Sequence, residues 1–223
     1  MNRVALILAA GISSLVVAPA VQAADLIVDE PAEVGVVDVS GNWAGAYVGV
    51  FAGYGWGTYD DNGPAGPDNG LGGGLVGLTA GYNFAVTDGI VAGVVADVAW
   101  SDISYGYDFP GVEFDFRADW VGSLRGKLGF DGGLFLPYLT AGLAVAGTSA
   151  FYDDGFFLVD ESQTHVGWTV GAGLEVAVAD NLSIDMLYRY SDYGDVTYGG
   201  VTAPPYDASF TTHQITAGLN WRF

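Results

Sequence analysis

The chain has 223 residues, of which 35 are Gly and none is Cys, and it sets 6 Lys and Arg against 26 Asp and Glu. So acidic a balance argues against nucleic-acid binding, which needs clustered Lys and Arg, and against a polybasic grip on anionic lipid heads. The absence of Cys excludes a disulfide framework and an acylated lipoprotein. Abundant Gly beside 6 Trp, 13 Tyr and 12 Phe favours an all-β chain, where Gly serves turns, bends and close packing.

Residues 1–23 read as a secretory signal. Arg3 supplies the positive start, residues 4–17 are almost wholly apolar, and Val21-Gln22-Ala23 offers a cleavage site after Ala23. A transmembrane anchor is the alternative. Its apolar core is short for a span, and Pro19 and the cleavage-like site follow it. Past Ala23 no apolar run of spanning length is free of breakers; residues 134–146 come nearest and contain Pro137. A membrane protein without a spanning helix has only the closed barrel left to satisfy its backbone in lipid.

Residues 24–42 form an acidic lead-in with Asp25, Asp29, Glu30, Glu33 and Asp38 and no basic residue. They read as a periplasmic segment before the first strand. Residues 43–223 read as one β-barrel domain, because from Trp43 apolar positions alternate with period two. Over residues 43–57, Ala44, Ala46, Val48, Val50, Ala52, Tyr54 and Trp56 share one face, opposite Gly45, Tyr47, Gly49, Phe51, Gly53 and Gly55. Residues 74–84 set Val76, Leu78, Ala80, Tyr82 and Phe84 against Gly77, Thr79, Gly81 and Asn83. Residues 90–100 follow. Over residues 117–130, Ala118, Trp120, Leu124, Leu128 and Phe130 oppose Asp119, Ser123, Arg125 and Lys127. Residues 135–145 place Pro137, Leu139, Ala141, Leu143 and Val145 on the apolar face.

The last three segments, residues 164–178, 182–190 and 211–223, alternate most clearly. The final one sets Ile215, Ala217, Leu219, Trp221 and Phe223 against Thr212, Gln214, Thr216, Asn220 and Arg222. Each of the eight segments is long enough to cross a bilayer as a tilted strand of about 9–11 residues. Thr87-Asp88-Gly89, Asp131-Gly132-Gly133 and Asp180-Asn181 are tight-turn sequences. The four other connections, around residues 58–73, 103–115, 149–163 and 193–209, read as long polar loops. Short turns at one end and long loops at the other are the pattern of bacterial outer-membrane barrels.

Aromatic residues on the apolar faces gather near both strand ends. Tyr54, Trp56, Trp100, Trp120, Trp168, Tyr188 and Tyr190 lie toward the loops, and Phe84, Phe130, Trp221 and Phe223 toward the turns. Two girdles around an aliphatic band suit the two membrane interfaces. A soluble β-sandwich would also alternate, but it needs neither the girdles nor the loop asymmetry. The expected fold is an all-β, eight-stranded antiparallel up-and-down transmembrane β-barrel.

Cleavage after Ala23 leaves five basic residues. Arg125, Lys127, Arg189 and Arg222 fall on polar strand faces, and Arg117 lies at the mouth. The same faces carry Asp97, Asp119, Glu175 and Asp185. So narrow a barrel is filled by side chains, and unpaired charge there is costly, so opposite charges should pair. Glu175 and Asp185 flank the strands nearest Arg189, which makes that cluster the first expectation for an ion network. Asp97, Arg125 and Lys127 complete the network, with a role in fixing register. A selectivity filter or proton path is the functional alternative.

The other acids gather in the predicted loops. Asp153-Asp154 and Asp160-Glu161 could hold a divalent cation loosely, for instance one bridging lipopolysaccharide, but no calcium-loop pattern is present. Solvated loop charge is the simpler reading, and no metal or cofactor is expected. The chain has 2 His, His165 and His213. Neither belongs to a nucleophile signature, so no catalytic residue and no enzyme activity are expected.

Six motifs carry a family resemblance: Trp43-x-Gly45-x-Tyr47-x-Gly49, Gly81-Tyr82-Asn83, the run from Leu136 to Gly142, Gly171-x-Gly173-x-Glu175, Tyr188-Arg189-Tyr190 and Gly218-Leu219-x-Trp221-x-Phe223. In this order and spacing they resemble the OmpA-like outer-membrane immunogenic protein, or small porin-like β-barrel, family from Trp43 to Phe223. Val95 departs from that pattern, where members often carry a second carboxylate near Asp97. The resemblance implies an integral outer-membrane protein with a structural or antigenic role. Some relatives are implicated in haem binding or in tethering the membrane to other envelope layers. Trp221 and Phe223 resemble the terminal signal read by the barrel-assembly machinery.

The leading expectation is a structural surface barrel of the outer membrane with acidic external loops. Its expected surroundings are outer-membrane lipid and lipopolysaccharide. A narrow pore is one alternative. Loop-mediated binding of a ligand such as haem, or adhesion, is another. Tyr59, Tyr105, Tyr107, Phe151, Tyr152, Phe156, Phe157, Tyr198 and Tyr206 make the predicted loops aromatic, but they name no ligand.

Overall fold

The structure is a computed structural model that describes residues 43–61, 69–109, 112–153, 155, 158–198 and 206–223. The signal segment 1–23 and the lead-in 24–42 lie outside the described residues. Among the described residues nine antiparallel strands follow in order: β1 (Gly45–Asp61), β2 (Asn69–Thr87), β3 (Ile90–Phe109), β4 (Val112–Phe130), β5 (Phe135–Asp153), β6 (Leu158–Ala179), β7 (Leu182–Asp192), β8 (Val196–Tyr198) and β9 (Tyr206–Arg222). Each neighbour in sequence pairs with the next as far as β7, β7 pairs with β9, and β9 returns to β1. Eight strands thus close a ring, while the three-residue β8 pairs with β9 alone.

Side-chain alternation explains the closure. Val50, Leu78, Leu124, Leu139, Val170, Met186 and Leu219 all stand exposed on the outside, while Asp97, Arg125, Thr140, Glu175, Arg189 and Gln214 are buried inside. A soluble protein would gain by the opposite arrangement. A barrel in hydrocarbon satisfies every ladder hydrogen bond and turns its apolar face to lipid. Trp56, Trp100, Trp120 and Trp168 stand exposed toward one end, and Phe84, Phe130, Trp221 and Phe223 toward the other. Inside, the rings of Tyr47 and Tyr138 lie across their ladder partners Gly81 and Gly173, which leave room for them.

Two expectations need correction. The first is the alternation of β4. Ala118 points inward and is fully buried, and Asp119 is exposed. A bulge at Asp119 shifts the β4–β5 register between Ala118 and Trp120, so face assignments reverse above it. The strand can therefore bury Phe114, Phe116 and Ala118 inside while Arg125 and Lys127 also face inward lower down.

The second correction concerns the loops. Strand ladders occupy most of the predicted loops, from Asp61 paired with Ala208 to Asp153 paired with Leu158. Twenty residues at about 3.3 Å each, tilted by about 40°, rise roughly 50 Å, about twice an apolar band of ~25 Å. The barrel therefore continues beyond its lipid-facing belt. What holds it there is an inner cluster that includes Tyr59, Ile103, Phe114, Phe116, Tyr193 and Phe210. Tyr59 belongs to that core and not to a surface loop. Tyr105, Phe151 and Tyr152 are half-buried, and the side chains of Tyr107, Phe156, Phe157, Tyr198 and Tyr206 lie outside the description.

Candidate functional site

The interior is built in three layers. At the end with the three tight turns, Trp43 lies buried against Val91, Leu136 and Ala177. Its indole Nε1–H donates to the Gly133 carbonyl at 3.0 Å, and its own carbonyl accepts from Asn83 Nδ2 at 3.0 Å. The Arg222 guanidinium sits 4.4 Å from the centre of the Trp43 ring. Its nitrogens have no hydrogen-bond partner among the described residues, so the aromatic face is what meets its charge.

The middle layer carries the charges. Asp97 on β3 stands between two guanidiniums: Arg125 Nη2 on β4 at 2.6 Å and Arg189 Nη1 on β7 at 2.8 Å. Ser123 donates to the same carboxylate. Arg125 also donates to Thr140 Oγ1 at 3.2 Å, and Arg189 Nε to Gln214 Oε1 at 3.2 Å. One step nearer the turns, Lys127 Nζ meets Glu175 Oε2 at 2.8 Å. Ser183 and Asn220 donate to the other Glu175 oxygen. Tyr138 donates to Asp185 Oδ1 at 2.6 Å, and the Lys127 ammonium rests 4.3 Å from the Tyr138 ring centre. Asp97, Arg125, Lys127, Glu175, Asp185 and Arg189 line this layer, with both forks of Asp97 occupied. A chamber of about 30 Å³ lies among them, room for one or two waters.

Above the charges the interior becomes apolar. Phe116 lies 4.3 Å from Tyr59 and 5.5 Å from Phe210, centre to centre. Tyr193 stacks on Phe210 at 4.3 Å, and His165 meets the same ring edge-on at 5.1 Å. Ions crossing the barrel would have to part paired charges and then this aromatic core.

A ring of eight strands with an apolar outside and a polar, filled inside agrees with the family model that matches this chain. The model for an outer membrane protein beta-barrel domain covers residues 8–223. The chain belongs to that family. This outer-membrane barrel is 37% identical to the 25 kDa outer-membrane immunogenic protein of Brucella abortus, over 90% of each chain. It is 35% identical to the 22 kDa outer membrane protein of Rhizobium leguminosarum, over 84% of this chain and 81% of that one. Among solved structures, Neisserial surface protein A superposes with a TM-score of 0.48 and 22% identity, over 81% of this chain and 98% of that one.

The Trp43 layer of the outer-membrane barrel lies at the end that carries the short turns and the start of β1 and end of β9, and the aromatic core lies toward the other end. Some of the ionic partners differ from those read in sequence. Arg189 reaches Asp97 on the opposite wall, not Glu175 on the neighbouring strand or Asp185 on its own. A long inward side chain spans a narrow lumen, so adjacency along the wall is a poor guide to contact. Asp119 joins no interior pair; it accepts from Ser149 on the outside. Val95 is buried beside the network, which closes on Asp97 without a second carboxylate there. Trp221 and Phe223 stand exposed on the outer face at the end with the tight turns.

Period two already sets Ser123 and Tyr138 on inward faces but names no partner for either. Trp43, two residues before β1, has the parity of Tyr47, the signal that could have placed it inside. His213 faces outward, within 2.8 Å of the Tyr188 hydroxyl and stacked on Trp56.

Proposed function

We propose that this chain is a non-conducting structural barrel of the outer membrane, with a surface role carried by its external half. The observation behind this reading is the layered filling of the lumen: Trp43 at the floor, Asp97 between Arg125 and Arg189, and the Phe116–Tyr59–Phe210 core above. Asp97, Arg125, Lys127, Glu175, Asp185 and Arg189 serve here as a structural network that fixes strand register. An antigenic role is supported by relatives named as immunogenic outer-membrane proteins and by acids such as Asp160, Asp195 and Asp207 exposed at the external end. A non-catalytic role fits the two histidines, one packed inside the wall and one on its outside. The barrel's surroundings are outer-membrane lipid, with lipopolysaccharide against the external girdle. Residues 1–23 serve as the cleaved signal, and Trp221 with Phe223 as the terminal signal for the barrel-assembly machinery.

Proteoliposomes test the closed lumen. Vesicles carrying the barrel should retain entrapped arabinose as long as empty vesicles do. Release that scales with barrel content would overturn the reading. Phe223→Ala should lower the amount assembled in cells while leaving the barrel refoldable in detergent; normal assembly would remove the terminal-signal role.

A further inference from the structure

β7 is 11 residues long, whereas its neighbour β6 has 22. The β6–β7 ladder ends at Trp168 paired with Asp192. The cause lies in the next residue. Tyr193 turns into the lumen and is buried, stacked 4.3 Å from Phe210. The chain passes so close inside Gly167 that a methyl there would stand 1.7 Å from the Asp192 carbonyl oxygen. Gly194 at a φ of +58° then redirects it, and β8 resumes along β9 alone. Among the described residues, the ladder partners of β6 from Leu158 to Gly167 all lie on β5, and β8 comes close to the other edge without pairing with it.

The backbone polarity of that free edge follows from two contacts. Ala177 N–H donates to the Leu134 carbonyl, so odd-numbered residues of β6 turn their polar groups toward β5. The register from Phe135↔Val176 to Asp153↔Leu158 is unbroken, so the rule holds along the strand. Even-numbered residues therefore face the other way, and the Val166 carbonyl does point toward Gly194. The N–H and C=O groups of Asp160, Ser162 and Thr164 line the open edge. Their side chains are exposed on the outer face. An unpaired edge of this kind is a template for another strand.

We infer that the β6 edge from Asp160 to Thr164 is a strand-addition site for an extended, basic polypeptide. Charge selects that occupant. Asp160 lies on the edge, Asp192 and Asp195 border the seam, and β6 and β8 contain no Lys or Arg. A second copy pairing through the same edge would bring two acidic rims together, which costs affinity.

The test uses the whole protein in detergent micelles and a blocked ten-residue peptide of alternating Lys and Val. A control of equal charge carries Pro at alternate Val positions and cannot form a ladder. The alternating peptide should bind and slow hydrogen exchange at the amides of Asp160, Ser162 and Thr164, and the control should bind at least tenfold more weakly. Ser162→Pro removes an N–H that faces the open side, so the β5–β6 ladder survives while peptide affinity falls about tenfold. D160N should weaken binding severalfold and flatten its salt dependence. Three outcomes would overturn the inference: equal binding of the control; exchange at Asp160, Ser162 and Thr164 in the free protein as slow as at Glu161 and Gln163; or self-association through this edge in place of peptide binding. The exchange measurement on unmodified protein stands even if a variant fails to fold.

Discussion

Asp97→Ala is the most informative single change in the lumen. The Asp97 carboxylate serves Arg125 at 2.6 Å and Arg189 at 2.8 Å, and its side chain is 2% exposed. Without it, both guanidiniums stay buried with neutral partners only, Ser123 and Thr140 for Arg125 and Gln214 and Ser123 for Arg189. Removing one member of a buried pair costs about 3–5 kcal/mol, because the remaining charge is uncompensated. Here two cations lose one shared anion, so the upper part of that range applies, about a thousandfold in the folding equilibrium at 1.4 kcal/mol per decade. R189M leaves Asp97 paired with Arg125 and should cost less. In the double variant only one guanidinium is unpaired, so the two losses should fall short of additive by about 1 kcal/mol or more. Urea unfolding in phospholipid vesicles, followed by tryptophan fluorescence, reads all three. A D97A loss below about 1 kcal/mol, or strict additivity with R189M, would refute the reasoning.

Four further outcomes follow from the packing. Ala118→Asp buries a charge in the aromatic core and should cost 3 kcal/mol or more, whereas Asp119→Ala should stay within about 1 kcal/mol; urea unfolding that gives the reverse order would contradict the bulge. Phe116→Ala should destabilise the external half by about 3–5 kcal/mol, seen as earlier proteolysis of residues above Trp120. Gly194→Ala should lower stability by about 1 kcal/mol through its left-handed backbone. Gly167→Ala should cost more than Gly194→Ala, since its methyl meets backbone and not a movable side chain; equal unfolding midpoints would count against the crossing at Asp192.

The ring of eight strands could be read in the sequence because each lipid-facing strand repeats one rule, apolar out and polar or small in. That rule failed where the rung count changes. Nothing in Arg117-Ala118-Asp119-Trp120 announces a bulge, because a bulge is set by what the neighbouring strand offers across the ladder. The external half misled for a related reason. Its acids and glycines look like loop, yet Tyr59, Phe114, Phe116 and Phe210 alternate with them and supply an inner core. Parity places Asp97, Arg125, Lys127, Glu175, Asp185 and Arg189 on inward faces, but it places Asp119 there too, which the bulge turns outward. The pairing is not readable from parity, because Arg189 and Asp97 meet across the lumen, 92 residues apart in sequence.

Planar-bilayer recording of the purified barrel tests the closed lumen most directly. Wild type should give no steady conductance under voltages that leave the bilayer intact, because the network at Asp97 and the core at Phe116 both block the path. Steady, ion-selective openings from wild type, lost or altered in selectivity by D97A or R189M, would show a conducting route through the charged layer and contradict the account.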